Sequence, residues 1–421
     1  MSNVAVVGAG ISGLVAALRL QQAGARVTVF ESGARVGGKL RSEVVGGVPL
    51  DVGAEAFVRR RPEVLALAAE LGLTDQLVSP VGRRPALYAD GALRGHFGRS
   101  LMGVPAEADE VGLPLSWAVG GDMSIGELVR TRFGDEVVER SVDPMVSGVF
   151  AAYADDVSVR GALPALAARL DAGADSLAGA VRDALGEPDD APVFGTFRGG
   201  YQQLLDALTD RLGDRIMLGT PVPELRPGWK LRGSVFDAVV LAVPAPQVCR
   251  LLSPHLPELS AAVSRIPAAS SALVTLRLPD DTPLPDLSGV LVASREQLSA
   301  KAITLSGRKW EHIPDGAVRV SFGRLGVSRI VDDVDKGLIA AAREDLETVL
   351  GVTAEPTAAH VQRWYEGIPV YLPGHRDTLA AIEAATAPGL ALAGAYFDGV
   401  GVPACIARAE VAARRVLDHL S

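Results

Sequence analysis

The stretch that decides the fold is "VAVVGAGISGLVAALRL", residues 4–20. An apolar run breaks on three glycines and resumes with helical spacing, and a second apolar run, "ARVTVFE", follows at 25–31. The pattern predicts a strand over 3–7, a helix over 11–23 and a strand over 25–31, with Gly24 stopping the helix. This is a βαβ unit whose first turn reads G-x-G-x-x-G, spanning Gly8, Ala9, Gly10, Ile11, Ser12 and Gly13. In such a turn the first glycine allows the sharp bend. The second lets the backbone approach a pyrophosphate, and the third allows close helix–strand packing. The helix start offers free N–H groups to phosphate oxygens.

Alone the motif is weak, because a glycine loop that binds nothing has the same letters. Its context strengthens it. Glu31 ends the second strand, where a carboxylate accepts hydrogen bonds from ribose hydroxyls and repels a 2′-phosphate, so NADP is disfavoured. "RVGGKLRS", 35–42, follows at once. Adjacent glycines Gly37 and Gly38, between Arg35 and Lys39, bring more backbone and charge onto an extended cofactor than NAD requires. The bland reading of that segment is a solvated basic loop. The expectation is FAD.

Bulk properties narrow the class. A chain of 421 residues suggests two or three domains. A net charge of −9 excludes a whole-molecule field that draws in nucleic acid or anionic lipid. Two cysteines, outside any CxxC pair, give no disulfide framework and fit a reducing cytoplasm. Six scattered histidines without HxxxH spacing predict no metal site. The chain enters a strand immediately, so no signal peptide is expected, and apolar runs such as 238–245 are too short to span a bilayer. Peripheral membrane contact and oligomeric state stay open.

The fold class expected is α/β. A Rossmann-like FAD-binding domain is interrupted by an antiparallel-sheet substrate domain and a helical domain. The FAD-binding pieces are 1–75, 193–265 and 359–421, the substrate pieces 76–103 and 266–358, and the helical domain 104–192. A helix is predicted at 62–71, and Ala-rich amphipathic helices at 125–132 and 175–185. Residues 236–243 read as a continuous apolar strand, as in the centre of a parallel sheet. Short β-rich runs fill 270–322, a helix follows at 336–350, and "LALAGAYFDGVGVPACIARAEVAARRVL", 390–417, gives strand, glycine turn and helix.

These residues resemble a flavoprotein superfamily that holds monoamine oxidases, carotenoid desaturases and porphyrinogen oxidases. "PLDVGAEAFVRRRPEVLALAAELGL" (49–73), "MGVP" (102–105), "DPMVSGVFAAYADDVSVRGALPAL" (143–166) and "FRGGYQQLLDAL" (197–208) narrow it. "KAITLSGRKW" (301–310), "RWYEGIPVYLPGH" (363–375) and "PGLALAGAYFDGVGVPACIARAEVAA" (388–413) continue the series. Together they are similar to the oxygen-dependent coproporphyrinogen III and protoporphyrinogen oxidases, in the bacterial form. The segments 112–124 and 219–233 look shorter than the family's. Gly394 is followed by Ala395 where many superfamily members carry Gly-Asp.

The resemblance implies roles. Gly8 to Gly13 would hold the pyrophosphate, Glu31 with Ser32 the adenosine ribose, and Lys39, with the Arg35–Gly37–Gly38 turn, the ribityl–phosphate side. Gly53, Ala54, Glu55 and Ala56 would run beside the isoalloxazine, and the Val222 backbone would meet the adenine. Trp364 would pack near the flavin, Gly394 near the pyrophosphate, and Val400, Gly401 and Val402 at the pyrimidine end. The last has its own reason: Pro403 suits the first turn of the closing helix, whose positive end would face the oxygen that gains charge on reduction. Arg84, Lys301, Lys309 and Tyr371 are the substrate candidates, with Arg83, Arg308 and His375 behind them. His375 reads equally well as a structural histidine, and Arg59–Arg61 as a solvated charge run.

No catalytic side chain is assigned and no metal is expected, in keeping with flavin chemistry. The implied reaction is repeated hydride removal from a porphyrinogen, most plainly coproporphyrinogen III, with three molecules of dioxygen reduced to hydrogen peroxide. Porphyrinogen and dioxygen are the expected partners, nucleic acid is not, and haem-pathway enzymes remain open as further partners. The alternatives are a protoporphyrinogen IX oxidase and a superfamily amine oxidase. A non-catalytic scaffold that keeps FAD only for folding is the rival from another class.

Overall fold

The computed structural model describes residues 2–95, 98–111, 115–187, 191–327 and 329–421. The opening unit forms as predicted: Asn3–Val7 (β1), Ile11–Gln22 (α1) and Arg26–Phe30 (β2). β1 and β2 are joined in parallel by Ile216–Met217 (β3), Ala238–Leu241 (β4) and the strand Leu390–Leu392, in the order β3, β2, β1, β4, Leu390–Leu392. β4 is shorter than the predicted 236–243, but it takes an inner place, flanked on both sides, as expected of an unbroken "AVVL". Both faces are covered, so the strand needs no polar alternation. Val4, Val6, Val27 and Val240 pack under α1 and the closing helix Val402–Leu420 (α2). Ala5, Val7, Val239 and Leu241 pack against the segment 245–266.

A second sheet has seven strands. Its order is Ala358–Pro369 (β6), Ala268–Arg277 (β5), Ala317–Phe322, Ala300–Leu305, Gly289–Val292, Ala86–Ala89 and Ala92–Gly95. All neighbours are antiparallel except Gly289–Val292 with Ala86–Ala89. β6 corrects one expected boundary. Residues 359–369 were assigned to the third FAD-binding piece, yet β6 pairs with β5 from Ala358 to Pro369. Its sequence, AAHVQRWYEGIP, is polar and largely half-exposed because it lies on the sheet edge, so it lacks the apolar run that marks an inner strand.

Strand register sorts this sheet's side chains into two faces. Val274, Val318, Val320, Ile303, Leu305 and Val290 are buried against the helix Asp335–Leu350. Alternate positions, Leu273, Ser321, Ala302, Thr304 and Leu291, are only half-buried and share the other face. Arg319 and Trp364 belong to that second face by register.

The helical layer includes Ile125–Phe133, Asp143–Phe150, Pro164–Asp171 and Leu177–Leu185 around Leu128, Val142, Val146, Leu166 and Val181. Ser124 caps the first of these by accepting from the Glu127 amide at 3.1 Å. Asp122 fastens the layer to the rest. It accepts from Ser158 Oγ at 2.6 Å, the Arg160 amide at 3.1 Å and the Gly374 amide at 3.0 Å. Of the segment 112–124, residues 112–114 lie outside the described residues. The segment 219–233 is compact, holding only the first strand of the short ribbon Lys230–Leu231 and Ser234–Val235.

Candidate active site

The first glycine turn is shaped so closely that side chains do not fit. A Cβ on Gly13 would stand 1.9 Å from the Gly8 carbonyl oxygen. Gly8 has φ +100°, and a Cβ there would meet the Ala242 oxygen at 2.7 Å. Gly10, where a Cβ would meet nothing, is the N-cap of α1 and leaves its surface open. Glu31 fixes the far side of the turn: its two carboxylate oxygens accept from the Ala9 amide at 2.8 Å and the Gly33 amide at 2.7 Å. Ser32 Oγ lies 3.3 Å from Glu31 Oε1. The Glu31 carbonyl accepts from the Thr220 amide at 2.7 Å, which brings half-buried Val222 to the end of β2.

The second glycine turn is bonded to the first. The Gly37 amide donates to the Ala9 carbonyl at 2.8 Å, Gly10 and Gly37 form a parallel bridge, and a Cβ on Gly38 would come within 3.3 Å of Gly10 Cα. Arg35 shapes this loop from within, donating to the Val36 and Gly38 carbonyls at 2.9 Å each. Burial lowers its pKa, with Arg41 adding to the effect. Lys39 is different. Among the described residues its ammonium has no hydrogen-bond or ion-pair partner, and withdrawal from solvent lowers its pKa.

Gly53 closes the same corner. Its missing Cβ would overlap the Lys39 carbonyl oxygen at 2.0 Å and touch the Trp364 ring at 3.3 Å. Gly53 to Ala56 are all half-buried, a strip with one open side. Glycines return at the N-terminus of α2, where Gly394 and Gly399 both have φ +145° and Gly401 is the N-cap. Val400 is half-buried and Val402 buried. Ser12 Oγ donates to the Cys405 carbonyl at 3.1 Å, joining the starts of α1 and α2.

Glu55, expected beside the isoalloxazine, is the centre of an ionic cluster. Lys309 Nζ lies 2.7 Å from Oε2, Arg319 Nη1 3.1 Å from Oε1, and Ser306 Oγ donates at 2.7 Å. Burial alone would raise its pKa, but Lys309 and Arg319 outweigh burial and hold it well below the usual carboxylate range. Arg319 also donates to the Gly53 carbonyl at 2.5 Å. A cavity of about 80 Å³ lies beside this cluster, between Asp51, Glu55, Arg319 and His312. Asp51 is pushed up to about 6 by burial, against the hydroxyl of Ser42 at 2.5 Å.

The substrate candidates separate. Arg84 is exposed, its guanidinium without a partner among the described residues. Lys309, expected as a free rim cation, is instead held by Glu55. Arg83 and Arg308 are paired with Asp286 and Asp315. Tyr371, expected to line the cleft, is fully buried: its hydroxyl donates to the Ala395 carbonyl and its ring stacks on His375 at 4.1 Å. His375 Nε2 lies 3.3 Å from the Phe397 carbonyl, the structural role weighed for it. Lys301 is buried on the sheet with a single carbonyl partner, Gly323, at 3.0 Å. Arg319 was not singled out from sequence. Its signal was a charge between Val318 and Val320 in a strand with no other charged residue.

The family model for flavin containing amine oxidoreductases matches residues 11–118 and 119–417. The chain belongs to that family. It is an oxidoreductase, and FAD is the group its cradle accommodates: two interlocked glycine turns, a carboxylate at the end of β2 and a lysine side chain without a partner among the described residues meet at one edge of a parallel sheet. Among members, a coproporphyrinogen III oxidase from Mycobacterium tuberculosis is 46% identical, with 99% of this chain and 97% of that one covered. One from Propionibacterium freudenreichii is 33% identical over 99% of this chain and 91% of its own. A crystal structure from Exiguobacterium sp. 255-15, of a protein provisionally assigned as a protoporphyrinogen oxidase, superposes with a TM-score of 0.85 at 28% identity, covering 100% of this chain and 99% of that one. No described helix is long and apolar enough to cross a membrane.

Proposed function

We propose that this protein is an FAD-dependent porphyrinogen oxidase of haem synthesis that converts coproporphyrinogen III to coproporphyrin III, with dioxygen reduced to hydrogen peroxide. The observation that carries this reading is that the likeness to coproporphyrinogen III oxidases runs through the cradle, the sheet and the helical layer alike, not through the glycine motif alone. FAD, when bound, supplies a two-electron acceptor that dioxygen reoxidises.

The chain's own residues bind, orient and shield. The Gly8–Gly13 turn and the N-terminus of α1 receive phosphates, Glu31 the ribose, and Lys39 an anionic group of the cofactor. Gly53 and Trp364 set a flat wall at the strip 53–56, and Trp364 stands on the same half-buried sheet face as Leu291, Ala302, Thr304 and Ser321. Glu55 is held ionised by two cations, so it takes up no proton at neutral pH.

A protoporphyrinogen IX oxidase is the second reading, favoured by the Exiguobacterium fold match. An amine oxidase is disfavoured: Tyr371 is sealed in the core and Tyr365 is exposed to solvent, leaving Trp364 without an aromatic partner among the described residues. Two cysteines without a disulfide support placing the enzyme in the cytoplasm. The test is anaerobic mixing of flavin-loaded protein with each porphyrinogen. Coproporphyrinogen III should bleach the flavin band and yield porphyrin fluorescence. Inertness toward porphyrinogens, with peroxide released from amines, would overturn the reading.

A further inference from the structure

Cations on the substrate-side sheet fall into two groups. Lys309 and Arg319 are matched with Glu55, Arg83 with Asp286 and Arg308 with Asp315. Lys301 and Arg324 are matched with nothing acidic among the described residues. Lys301 is the extra residue of a β-bulge: pairing steps from Ala300–Phe322 directly to Ala302–Ser321. Bulges re-aim a side chain next to functional sites. Here the bulge places an ammonium at 3% exposure with one acceptor, the Gly323 carbonyl, for three N–H donors.

Arg324 adjoins that carbonyl. Its Nε donates to Ser147 Oγ at 3.2 Å, and its guanidinium lies over the Tyr153 ring, 5.4 Å from the centroid. Its terminal nitrogens have no protein acceptor among the described residues. Asp143 is within electrostatic range, but its carboxylate accepts from the Ala154 amide at 2.7 Å and makes no ion pair with Arg324. Two neighbouring cations, drawn from water without an ion pair, are costly unless an anion arrives. Burial and the Arg324 charge accordingly lower Lys301 to about 7.

We propose that Lys301 and Arg324 form a carboxylate-binding pole for the substrate, and that this pole selects a tetracarboxylate porphyrinogen over a dicarboxylate one. The inference rests on the porphyrinogen reading above and adds the residues that choose between its two forms. Its geometry comes from the strand Ala300–Leu305. The Arg84 carbonyl accepts from Ser288 and the Ser288 carbonyl from Leu305, so Arg84 stands at the Leu305 end. Lys301 stands at the other, four steps or roughly 13 Å along the strand and two strand spacings, roughly 10 Å, across the sheet.

That span suits a macrocycle with carboxylates on opposite pyrroles. Coproporphyrinogen III carries a propionate on each of its four pyrroles. Protoporphyrinogen IX carries two, on neighbouring pyrroles, with vinyl groups along the other edge. With Arg84 holding one edge, a propionate at the opposite edge completes charge-assisted hydrogen bonds to Lys301 and Arg324, whereas a vinyl leaves both cations uncompensated.

The test uses flavin-loaded Lys301→Met and Arg324→Gln, singly and combined, with kcat/KM measured for both porphyrinogens. The double variant should lose about 100-fold on coproporphyrinogen III, as expected for two charge-assisted contacts, and change little on protoporphyrinogen IX. Equal losses on both substrates, or an unmoved ratio in an active enzyme, would overturn the pole and leave the functional reading standing. Wild-type protein inert toward both porphyrinogens would remove the two together. Should the variants fail to fold, wild-type binding decides: coproporphyrin III should perturb the flavin band at a concentration at least tenfold lower than mesoporphyrin IX, a dicarboxylate, and equal affinity would overturn the proposal.

Discussion

At Glu55, two cations and a hydroxyl converge on one carboxylate that is nearly out of solvent. Replacing it by glutamine keeps the shape and leaves Lys309 and Arg319 buried without their counter-charge. Glu55→Gln should lose about 3 kcal/mol of stability, the usual cost of breaking a buried pair from one side. Urea unfolding of the flavin-loaded variant checks this, and an unchanged midpoint would show the cluster to be solvated. Asp51 behaves in the opposite sense. Its folded pKa, about 6, lies above its ordinary 3.8, so the folded state holds the proton more tightly. That contribution is complete below pH 3.8 and is lost as pH rises through 6, a span of roughly 3 kcal/mol at most. In Asp51→Asn the stability slope between pH 4 and 6 should flatten, as read by thermal melts; an identical slope would assign it to another group. Neither behaviour was legible in sequence, because Ser306 is 251 positions from Glu55 and the Tyr201 amide, which donates to Asp51 at 3.3 Å, is 150 from it.

Among the elements, the βαβ unit was legible because its information is local: an apolar strand, a turn only glycine can make, and a helix with an apolar stripe. The interlock of the two glycine turns was foreshadowed by the doubled glycine of "RVGGKLRS", although the bond from Gly37 to Ala9 was not. Gly37 has φ +103°, and a Cβ there would stand 2.5 Å from both the Leu40 oxygen and Leu205 Cδ1. Gly37→Ala should therefore cost at least about 1 kcal/mol and release flavin, since strain falls on the loop that abuts Gly10. The ratio of flavin to protein absorbance after gel filtration measures it, and full retention would contradict the interlock. β6 was missed for a physical reason: an edge strand with one wet side carries no apolar run, and its partner β5 lies about ninety positions earlier in the chain.

In the whole molecule, the central parallel sheet and the antiparallel sheet were legible as changes in texture, but the way the layers are fastened was not. Asp122 joins the helical layer to the turn at Gly374, and from there Tyr371 and His375 reach the backbone of 395–397. Asp122→Ala should lose about 2 kcal/mol, because it strips partners from two half-buried amides and the hydroxyl of buried Ser158. Hydrogen exchange should rise at 158–161 and 374–375 together. Faster exchange at only one of these segments would show that Asp122 does not couple them.

The contact between Ser12 and Cys405 spans 393 positions. A ribosome adding on the order of 5–20 residues per second delivers the second partner some tens of seconds after the first. Until then the nucleotide groove lacks a wall, and the early strands wait without their last neighbour. Cofactor loading is thus an event of the nearly finished polypeptide, and nascent chains halted before residue 390 should emerge colourless.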